Sequence, residues 1–222
     1  VRQFLARQAK QHGLWLVGGT LPVAESKPRS FARCYVCSPQ AEAVGHYDKI
    51  HLFDADVASQ EGKSAYRESD DFSAGELVKT VPTELGVLGL TVCYDLRFAE
   101  LFRRLANLGA EIITVPSAFT AITGEAHWQV LLRARAIENQ AYVAGVNRVG
   151  EGGGLHYSGD SILFAPDGSA LTEISSTQTI LTANVDAGRV AAWRENFPAV
   201  FKRSQFWILA DVSDKHHFVY CS

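Results

Sequence analysis

The stretch that decides the fold is VLGLTVCYDLRFAELFRRLANLGAEIITV, residues 87–115. Residues 87–92 form an apolar run that predicts a buried strand, and this run ends at Cys93. Apolar residues then recur at helical spacing over residues 98–108, and Gly109 stands where a helix C-terminus favours glycine. Residues 111–115 are again mostly apolar and predict another strand. The stretch therefore reads as strand, turn, helix and strand.

The same order of helix and strand recurs on both sides of this stretch. Residues 3–11 show helical spacing before His12 and Gly13, and residues 14–17 read as a buried strand. Residues 128–140 predict a third helix, and residues 141–146 predict the strand after it. Helices that lead into continuous apolar strands indicate an α/β fold whose sheets are covered by helices.

Further strands are expected where apolar residues alternate or run between turn signals, such as Pro166-Asp167-Gly168. These stretches are residues 32–38, 44–51, 160–164 and 179–185. No linker, low-complexity tract or internal repeat interrupts the pattern. We therefore expect one domain over residues 1–206 and an appended tail over residues 207–222.

Composition narrows the class of function. A formal net charge of -3 and a pI near 6.2 argue against nucleic acid or an anionic membrane surface as a partner. No apolar run approaches the roughly 20 residues of a membrane-spanning helix. Residues 1–10 are charged, unlike the apolar centre of a signal peptide. Four scattered cysteines favour a reducing cytosol over a disulfide framework, so we expect a cytoplasmic protein that acts on a small molecule.

Cys93 is the first candidate for chemistry. A turn between a strand and a helix exposes a side chain at the sheet edge and directs backbone N–H groups to the same point. Such a position suits both a nucleophile and the oxyanion that its attack creates. The alternative, that Cys93 is a small buried apolar residue, is the commoner role of a lone cysteine after a strand.

Three charged residues could assist Cys93. Lys49 lies in a predicted strand on the same face as Tyr47 and His51, where it is either an edge lysine or a cation that lowers a thiol pKa and stabilises an oxyanion. Glu68 lies in a polar loop and alone would be a solvated charge. Arg97 is either a surface residue or a guanidinium that holds a substrate carboxylate with two bonds.

Another pair of cysteines has the spacing of a redox or zinc motif. Cys34 and Cys37 are three residues apart, but no second pair accompanies them. They fall on a predicted strand, where residues three apart face opposite sides of the sheet. We therefore expect both to be structural.

Seven blocks of sequence resemble the Nit branch of the carbon-nitrogen hydrolase (nitrilase) superfamily. They occur in order over residues 3–206: YDKIHLFD at 47–54, YRES at 66–69, VCYDLRF at 92–98, PSAF at 116–119, TG at 123–124, AHW at 126–128 and RARAI at 133–137. The resemblance implies a four-layer αββα sandwich, paired into a homodimer or higher homo-oligomer. It also implies that the chain lacks the first strands and helices of that fold.

The resemblance assigns roles to individual residues. Cys93 is the nucleophile, Lys49 is the lysine of the catalytic triad, and Glu68 is a second acidic residue that orients the lysine and the substrate. The N–H of Tyr94 is expected to help stabilise the oxyanion. The substrate is expected to contact Arg97, Phe119 and Thr123.

The implied reaction is hydrolysis of an amide without a cofactor or metal. Attack by the Cys93 thiolate gives a tetrahedral oxyanion, ammonia leaves, and water hydrolyses the thioester that remains. The family's general base is a glutamate on an early strand, before the helix at residues 3–11. This chain starts after that point, and with no Met among its residues we expect that an N-terminal part is missing.

Two substrates and one inactive role stay open. Residues 109–124 resemble deaminated glutathione amidases, which we favour, whereas residues 147–150 and 156–160 resemble ω-amidases acting on α-ketoglutaramate or α-ketosuccinamate. A different class of function is an inactive binding or assembly module that keeps the sandwich and lacks the catalytic glutamate.

Overall fold

The computed structural model describes residues 1–25, 28–59, 62–173, 177 and 179–200. The predicted tail at residues 207–222 therefore lies outside the described residues. The helices are α1 (Arg2–His12), α2 (Glu68–Asp71), α3 (Ala99–Asn107), α4 (Ala121–Asn139) and α5 (Ala187–Asn196), and a 3-10 helix spans Cys93–Arg97.

The strands fall into two five-stranded sheets and two hairpins. Their bounds are β1 (Leu16–Val17), β2 (Leu21–Val23), β3 (Ser30–Cys37), β4 (Ala43–Asp48), β5 (Asp54–Ser59), β6 (Gly62–Arg67), β7 (Phe72–Ser73), β8 (Thr80–Thr83), β9 (Gly86–Leu90), β10 (Ile112–Ser117), β11 (Tyr142–Asn147), β12 (Val149–Gly152), β13 (Leu155–Ser158) and β14 (Ile162–Phe164).

Each five-stranded sheet has a distinct topology. In the first sheet β3 is central and pairs with β1, β2, β4 and β7. The second sheet has the order β14-β11-β10-β9-β8, in which β9, β10 and β11 are parallel. Parallel neighbours need a connection that carries the chain back to the start of the next strand, and helices α3 and α4 provide it between β9 and β10 and between β10 and β11.

The two sheets pack face to face through a shared apolar core. Cys34, Val36 and Tyr47 of the first sheet meet Leu88 and Leu90 of the second, and all five are nearly or fully buried. Burial of such surface stabilises the fold by roughly 25 cal/mol per Å² of apolar area removed from water. Sheet-on-sheet packing therefore forms the centre of the molecule.

Helices cover the outer face of each sheet. On one side α1 lies on the first sheet, with Ala9 fully buried and the Leu5 side chain against Gly18. On the other side α3 and α4 bury Phe102, Trp128 and Leu132 against the second sheet. The order helix, sheet, sheet, helix confirms the expected αββα sandwich.

The helix–strand units predicted from sequence are present, with two differences. The third helix begins at Ala121 rather than at residue 128, because Gly124 does not break it: the glycine lies beside Phe119 and the Ser158 hydroxyl inside the first turns. The strand predicted at residues 14–17 is only Leu16–Val17 and is half-buried, because it pairs with β3 alone among the described strands.

Of two other strand predictions, one is right except at its C-terminal end and one is wrong. The strand predicted at residues 44–51 ends at Asp48, because the Ile50 N–H turns back to donate to the Tyr47 hydroxyl at 3.2 Å. Lys49 and His51 therefore follow the strand instead of sharing its face with Tyr47. Residues 179–185 form no strand, and Ile180 there is 88% exposed, so its apolar side chain has no neighbouring sheet to pack on.

No helix in the described ranges is long and apolar enough to cross a membrane.

Candidate active site

Cys93 occupies the turn that the sequence predicts. It follows β9 and opens the 3-10 helix, and its φ is 50°, in the left-handed region that a non-glycine residue rarely adopts. Strained backbone of this kind occurs at sites where a side chain must point in a fixed direction. The side chain is half-buried at the junction of two cavities.

A buried carboxylate holds the Cys93 turn against the segment that contains Lys49. The side chain of Asp95 is fully buried, and it accepts hydrogen bonds from the Val92 N–H at 2.9 Å and the Tyr47 hydroxyl at 2.8 Å. It also accepts from the His51 N–H at 3.1 Å and lies 2.7 Å from His51 Nδ1. Because a buried carboxylate is stable only when its oxygens are paired, these bonds fix both segments together.

Lys49 and Glu68 form a close ion pair near Cys93. Lys49 Nζ lies 2.5 Å from Glu68 Oε2, and the side chains are 4% and 12% exposed. The same carboxylate oxygen accepts the Phe53 N–H at 2.6 Å. Glu68 therefore orients Lys49, whose ammonium group carries two more N–H donors for another acceptor.

The larger cavity has a volume of about 510 Å³. Lys49, Glu68 and Cys93 lie on its walls, together with Ala118 and Asn147. The structure thus brings the three predicted catalytic side chains to one cavity, although Glu68 lies 25 residues and Lys49 lies 44 residues before Cys93 in the chain. Glu68 stands at the start of the short helix α2 instead of in the predicted loop.

The smaller cavity adjoins the larger one at Cys93 and has a volume of about 30 Å³. Tyr94 and the three predicted substrate contacts, Arg97, Phe119 and Thr123, line it. Tyr94 belongs to the first turn of the 3-10 helix, where backbone N–H groups lack partners inside the helix. The structure therefore brings the predicted oxyanion and substrate residues together on one side of Cys93.

The Arg97 guanidinium is positioned by aromatic and histidine contacts. Its carbon lies 5.0 Å from the centre of the Phe119 ring, and Nη1 lies 3.2 Å from His127 Nδ1. In the described part of the chain no carboxylate pairs with it. An unpaired guanidinium beside a small cavity is suited to an anionic group of a ligand.

Burial raises the pKa of the Cys93 thiol above its ordinary value. The charge of Lys49 and a backbone hydrogen bond from Ala118 lower this pKa, whereas the charge of Glu68 raises it. The raising effects prevail, so burial opposes formation of the thiolate. A nucleophilic reaction at Cys93 therefore requires a base that accepts the thiol proton.

The family model described as carbon-nitrogen hydrolase matches residues 1–195. The chain belongs to this carbon-nitrogen hydrolase family.

Curated relatives of this carbon-nitrogen hydrolase are amidases. The deaminated glutathione amidase of Yersinia enterocolitica is 45% identical over 69% of this chain, and the match spans 54% of that protein. The omega-amidase NIT2-A of Xenopus laevis is 34% identical over 97% of this chain and 76% of that protein. The chain thus spans about half the length of the first relative and three quarters of the second.

Solved structures of the family share the fold. Nit3 of Saccharomyces cerevisiae, a member of branch 10 of the nitrilase superfamily, matches with a TM-score of 0.81 and 30% identity over 92% of this chain and 71% of that one. A mutant amidase from Nesterenkonia sp. AN1, whose active-site cysteine carries a covalent acetamide group, matches with a TM-score of 0.73 and 27% identity over 88% of this chain and 72% of that one.

Sequence reasoning about this carbon-nitrogen hydrolase missed several residues at the site. Asp95 is one, because no local pattern marks it as the buried acceptor of bonds from Tyr47 and His51. Asn147 is another: its Oδ1 accepts the Phe119 N–H at 2.7 Å and so holds the loop between the cavities. Arg148 also lines the larger cavity, next to Asn147.

The other two cysteines among the described residues lie outside the cavities at Cys93. Cys34 and Cys37 are buried in β3 as free thiols, and burial raises the pKa of Cys34 to about 12. Neither lines either cavity at Cys93. Their location agrees with the structural role expected for them.

Proposed function

We propose that this carbon-nitrogen hydrolase is a cysteine-dependent amidase that hydrolyses a small carboxylate-bearing amide, deaminated glutathione in the first place. The observation that carries the proposal is the position of Cys93. It lies between a cavity that contains the buried Lys49–Glu68 pair and a cavity that contains the Arg97 guanidinium. The Cys93 thiol therefore has a cation for an oxyanion, Lys49, on one side and a cation for a carboxylate, Arg97, on the other.

The reaction begins with attack of Cys93 Sγ on the amide carbonyl carbon. The negative charge that develops on the carbonyl oxygen is stabilised by Lys49 and by the N–H of Tyr94. The C–N bond then breaks, the leaving nitrogen takes up a proton, and a thioester joins the acyl group to Cys93. Water attacks the thioester, and cleavage of the C–S bond releases the acid and regenerates the thiol.

Proton transfer in both halves of the reaction needs a general base. Among the described residues Glu68 is the only carboxylate on the walls of the larger cavity, and it is engaged by Lys49 and by the Phe53 N–H. We assign Glu68 to orientation of Lys49. The resemblance assigns the base to a glutamate that residues 1–222 do not contain.

The choice of substrate rests on chemistry and on the relatives. Arg97 offers two parallel hydrogen bonds to a carboxylate, which both deaminated glutathione and α-ketoglutaramate possess. The relative named for deaminated glutathione is 45% identical and the one named as an omega-amidase is 34% identical. The omega-amidase match covers more of this chain, 97% against 69%, and keeps α-ketoglutaramate as the second candidate.

The experiment measures α-ketoglutarate, which both substrates yield on hydrolysis. The ammonia expected from the sequence holds only for α-ketoglutaramate, because deaminated glutathione releases a dipeptide as the amine. An ammonia assay therefore separates the two reactions. Cys93→Ala should abolish turnover of both. Cys37→Ala, a change at another buried thiol, should retain it, and equal product from wild type and Cys93→Ala would refute the mechanism.

A second comparison tests the assignment of the base. The 222-residue chain and the product of the complete reading frame are assayed side by side. If that product carries a glutamate before residue 1, turnover that is lost when this glutamate becomes glutamine supports the enzyme. A complete product that binds the substrate and never turns it over supports the inactive module.

We also propose a cytoplasmic location and a homodimer. Cys34 and Cys37 support the first, since two buried cysteines that form no disulfide suit a reducing compartment. The resemblance alone supports the second. Cell fractionation tests the location, and analytical ultracentrifugation tests the homodimer.

A further inference from the structure

We infer that His127 is a positioning residue, which holds the Arg97 guanidinium toward the carboxylate on the acyl side of the substrate. This inference rests on the amidase function proposed above. It applies to deaminated glutathione and to α-ketoglutaramate alike, because both carry the same acyl group and therefore the same carboxylate.

The contact between the two side chains has only one possible direction. Arg97 Nη1 lies 3.2 Å from His127 Nδ1. A guanidinium has N–H donors and no acceptor, so Nδ1 must present its lone pair to Nη1. The imidazole is therefore neutral in this contact, with its proton on Nε2, and it accepts a hydrogen bond from a cationic donor.

Two aromatic rings also contact the guanidinium, but they do not fix its orientation. Its carbon lies 5.0 Å from the centre of the Phe119 ring and 5.9 Å from the centre of the Tyr94 ring. A cation is attracted to a ring face over a range of orientations, whereas a hydrogen bond requires an N–H that points at its acceptor. Among the described residues, His127 provides the one hydrogen-bond acceptor for the Arg97 side chain. The bond to His127 therefore sets the plane of the guanidinium.

Helix α4 holds His127 in turn. Thr123, which lines the small cavity, stands four residues earlier, so the two residues lie on the same face of the helix. The next residue, Trp128, is fully buried, and its Nε1 donates to the Asp160 carbonyl at 2.8 Å. Trp128 therefore fixes the rotation of α4, and with it the position of His127 beside Arg97.

The bond to His127 uses one N–H of Arg97 and leaves the others for a ligand. Two of the remaining N–H groups can bind a carboxylate side by side. A guanidinium that is already held loses less rotational freedom when the carboxylate binds, so the substrate binds more tightly. Loss of the His127 acceptor should therefore raise KM for substrates that carry this carboxylate and spare those that lack it.

The test compares α-ketoglutaramate with levulinamide, in which a methyl group replaces the carboxylate, and measures the ammonia that the full-length enzyme releases. His127→Phe keeps a flat ring without an acceptor and should raise KM for α-ketoglutaramate by about 3- to 10-fold, with kcat little changed. The value of kcat/KM for levulinamide should stay the same. His127→Asn should restore KM, because its amide oxygen can replace Nδ1 as the acceptor. His12→Phe, at an exposed histidine on α1, is the matched control.

An equal loss with both amides, an unchanged KM in His127→Phe, or a His127→Asn enzyme as impaired as His127→Phe would overturn the inference. Binding of α-ketoglutarate, measured by calorimetry, tests it without turnover: the dissociation constant should rise in His127→Phe by about the same factor. Equal binding by wild type and His127→Phe, or no binding by either, would also overturn it. Failure of wild type to form α-ketoglutarate from either candidate substrate would instead refute the proposed amidase, and the binding measurement would still decide the role of His127.

Discussion

The hydroxyl of Tyr47 donates a hydrogen bond of 2.8 Å to the carboxylate of Asp95, and both side chains are fully buried. Tyr47 is two residues before Lys49, and Asp95 is two residues after Cys93. The contact therefore sets the distance between the proposed nucleophile and the proposed oxyanion cation. Burial and the neighbouring carboxylate keep the pKa of Tyr47 above its ordinary value, so the hydroxyl keeps its proton and stays a donor.

Tyr47→Phe removes this donor and leaves one bond fewer to a buried carboxylate. We expect the free energy of unfolding to fall by about 1–3 kcal/mol and kcat to fall with it, because Lys49 and Cys93 lose their common support. Urea unfolding and steady-state kinetics measure the two effects. Tyr142→Phe is the control, since Tyr142 is also a buried residue and its hydroxyl donates to the Asp186 carbonyl at 3.2 Å, away from both cavities.

Tyr142→Phe should lower stability without lowering kcat in the folded enzyme. The role assigned to Tyr47 fails if both variants lose stability and kcat in the same proportion.

Local patterns in the sequence predicted the helices and strands that flank Cys93. The alternation over residues 98–108 places Phe102 and Leu105 on one face of α3, and both are fully buried against the second sheet. Such periodicity depends only on residues close together in the chain, so it can be recognised in a single sequence. The turn at Cys93 was predictable for the same reason, because a strand ends and a helix begins within five residues.

Contacts between distant segments were not predictable in this way. Asp95 reads as a solvated charge beside a helix start, and only the fold reveals that its partners Tyr47 and His51 lie 48 and 44 residues away. The strand expected at residues 179–185 failed for the converse reason. Its alternation is local, but a strand forms only where a neighbouring strand completes its hydrogen bonds.

The roles of the site residues came from the resemblance and not from pattern. Sequence alone left Lys49 as either an edge lysine or an oxyanion cation and left Glu68 as a solvated charge, and the structure brings them into a buried pair. Their catalytic roles stay predictions, because the structure gives the positions of the side chains and only the kinetics of variants can assign their roles.

Lys49 and Glu68 should shift the reactivity of Cys93 in opposite directions. The charge of Lys49 lowers the pKa of the thiol and the charge of Glu68 raises it. Because only the thiolate reacts, the rate of alkylation rises with pH until the pH passes the thiol pKa. Glu68→Gln should therefore move this profile to lower pH, and Lys49→Met should move it to higher pH.

The measurement is the rate of acetamide transfer from iodoacetamide, followed by peptide mass spectrometry at each pH. Cys34 is an internal control, since its pKa of about 12 keeps it slow to react in every variant. Shifts of the Cys93 profile in the same direction for both variants would contradict the electrostatic account.

Lys49 and Glu68 should also be coupled in their effects on the free energy of unfolding. Lys49→Met removes the cation that pairs with the nearly buried Glu68 carboxylate. Glu68→Gln removes the anion that pairs with the Lys49 ammonium group. We expect each single change to lower the free energy of unfolding by about 3 kcal/mol, and the double change to lower it by less than the sum. The exposed pair Arg189–Asp167, with side chains 42% and 28% exposed, should show a coupling below about 1 kcal/mol.

Denaturant titration of the four variants of each cycle provides these energies. Additive losses for Lys49 and Glu68 would show that the two side chains act independently, against the contact of 2.5 Å between them.

Asn147 should control the loop that separates the two cavities. Its Oδ1 accepts the Phe119 N–H at 2.7 Å and its Nδ2 donates to the Phe119 carbonyl at 3.4 Å, so one amide satisfies both backbone groups of that residue. Asn147→Ala leaves these buried groups without partners, which costs about 1–3 kcal/mol for each lost bond. Because Ala118 and Thr120 beside Phe119 line both cavities, the loop should move and KM should rise more than kcat falls.

Asn107→Ala, at an exposed residue that ends α3, removes the same amide without touching the loop and should leave both constants unchanged. Kinetics with the better substrate, together with thermal unfolding, separate a moved loop from a globally weakened fold. In Asn147→Ala a moved loop raises KM well below the melting temperature, whereas a weakened fold lowers only the melting temperature. An Asn147→Ala enzyme with normal KM and reduced stability would limit Asn147 to a structural role and remove it from the site.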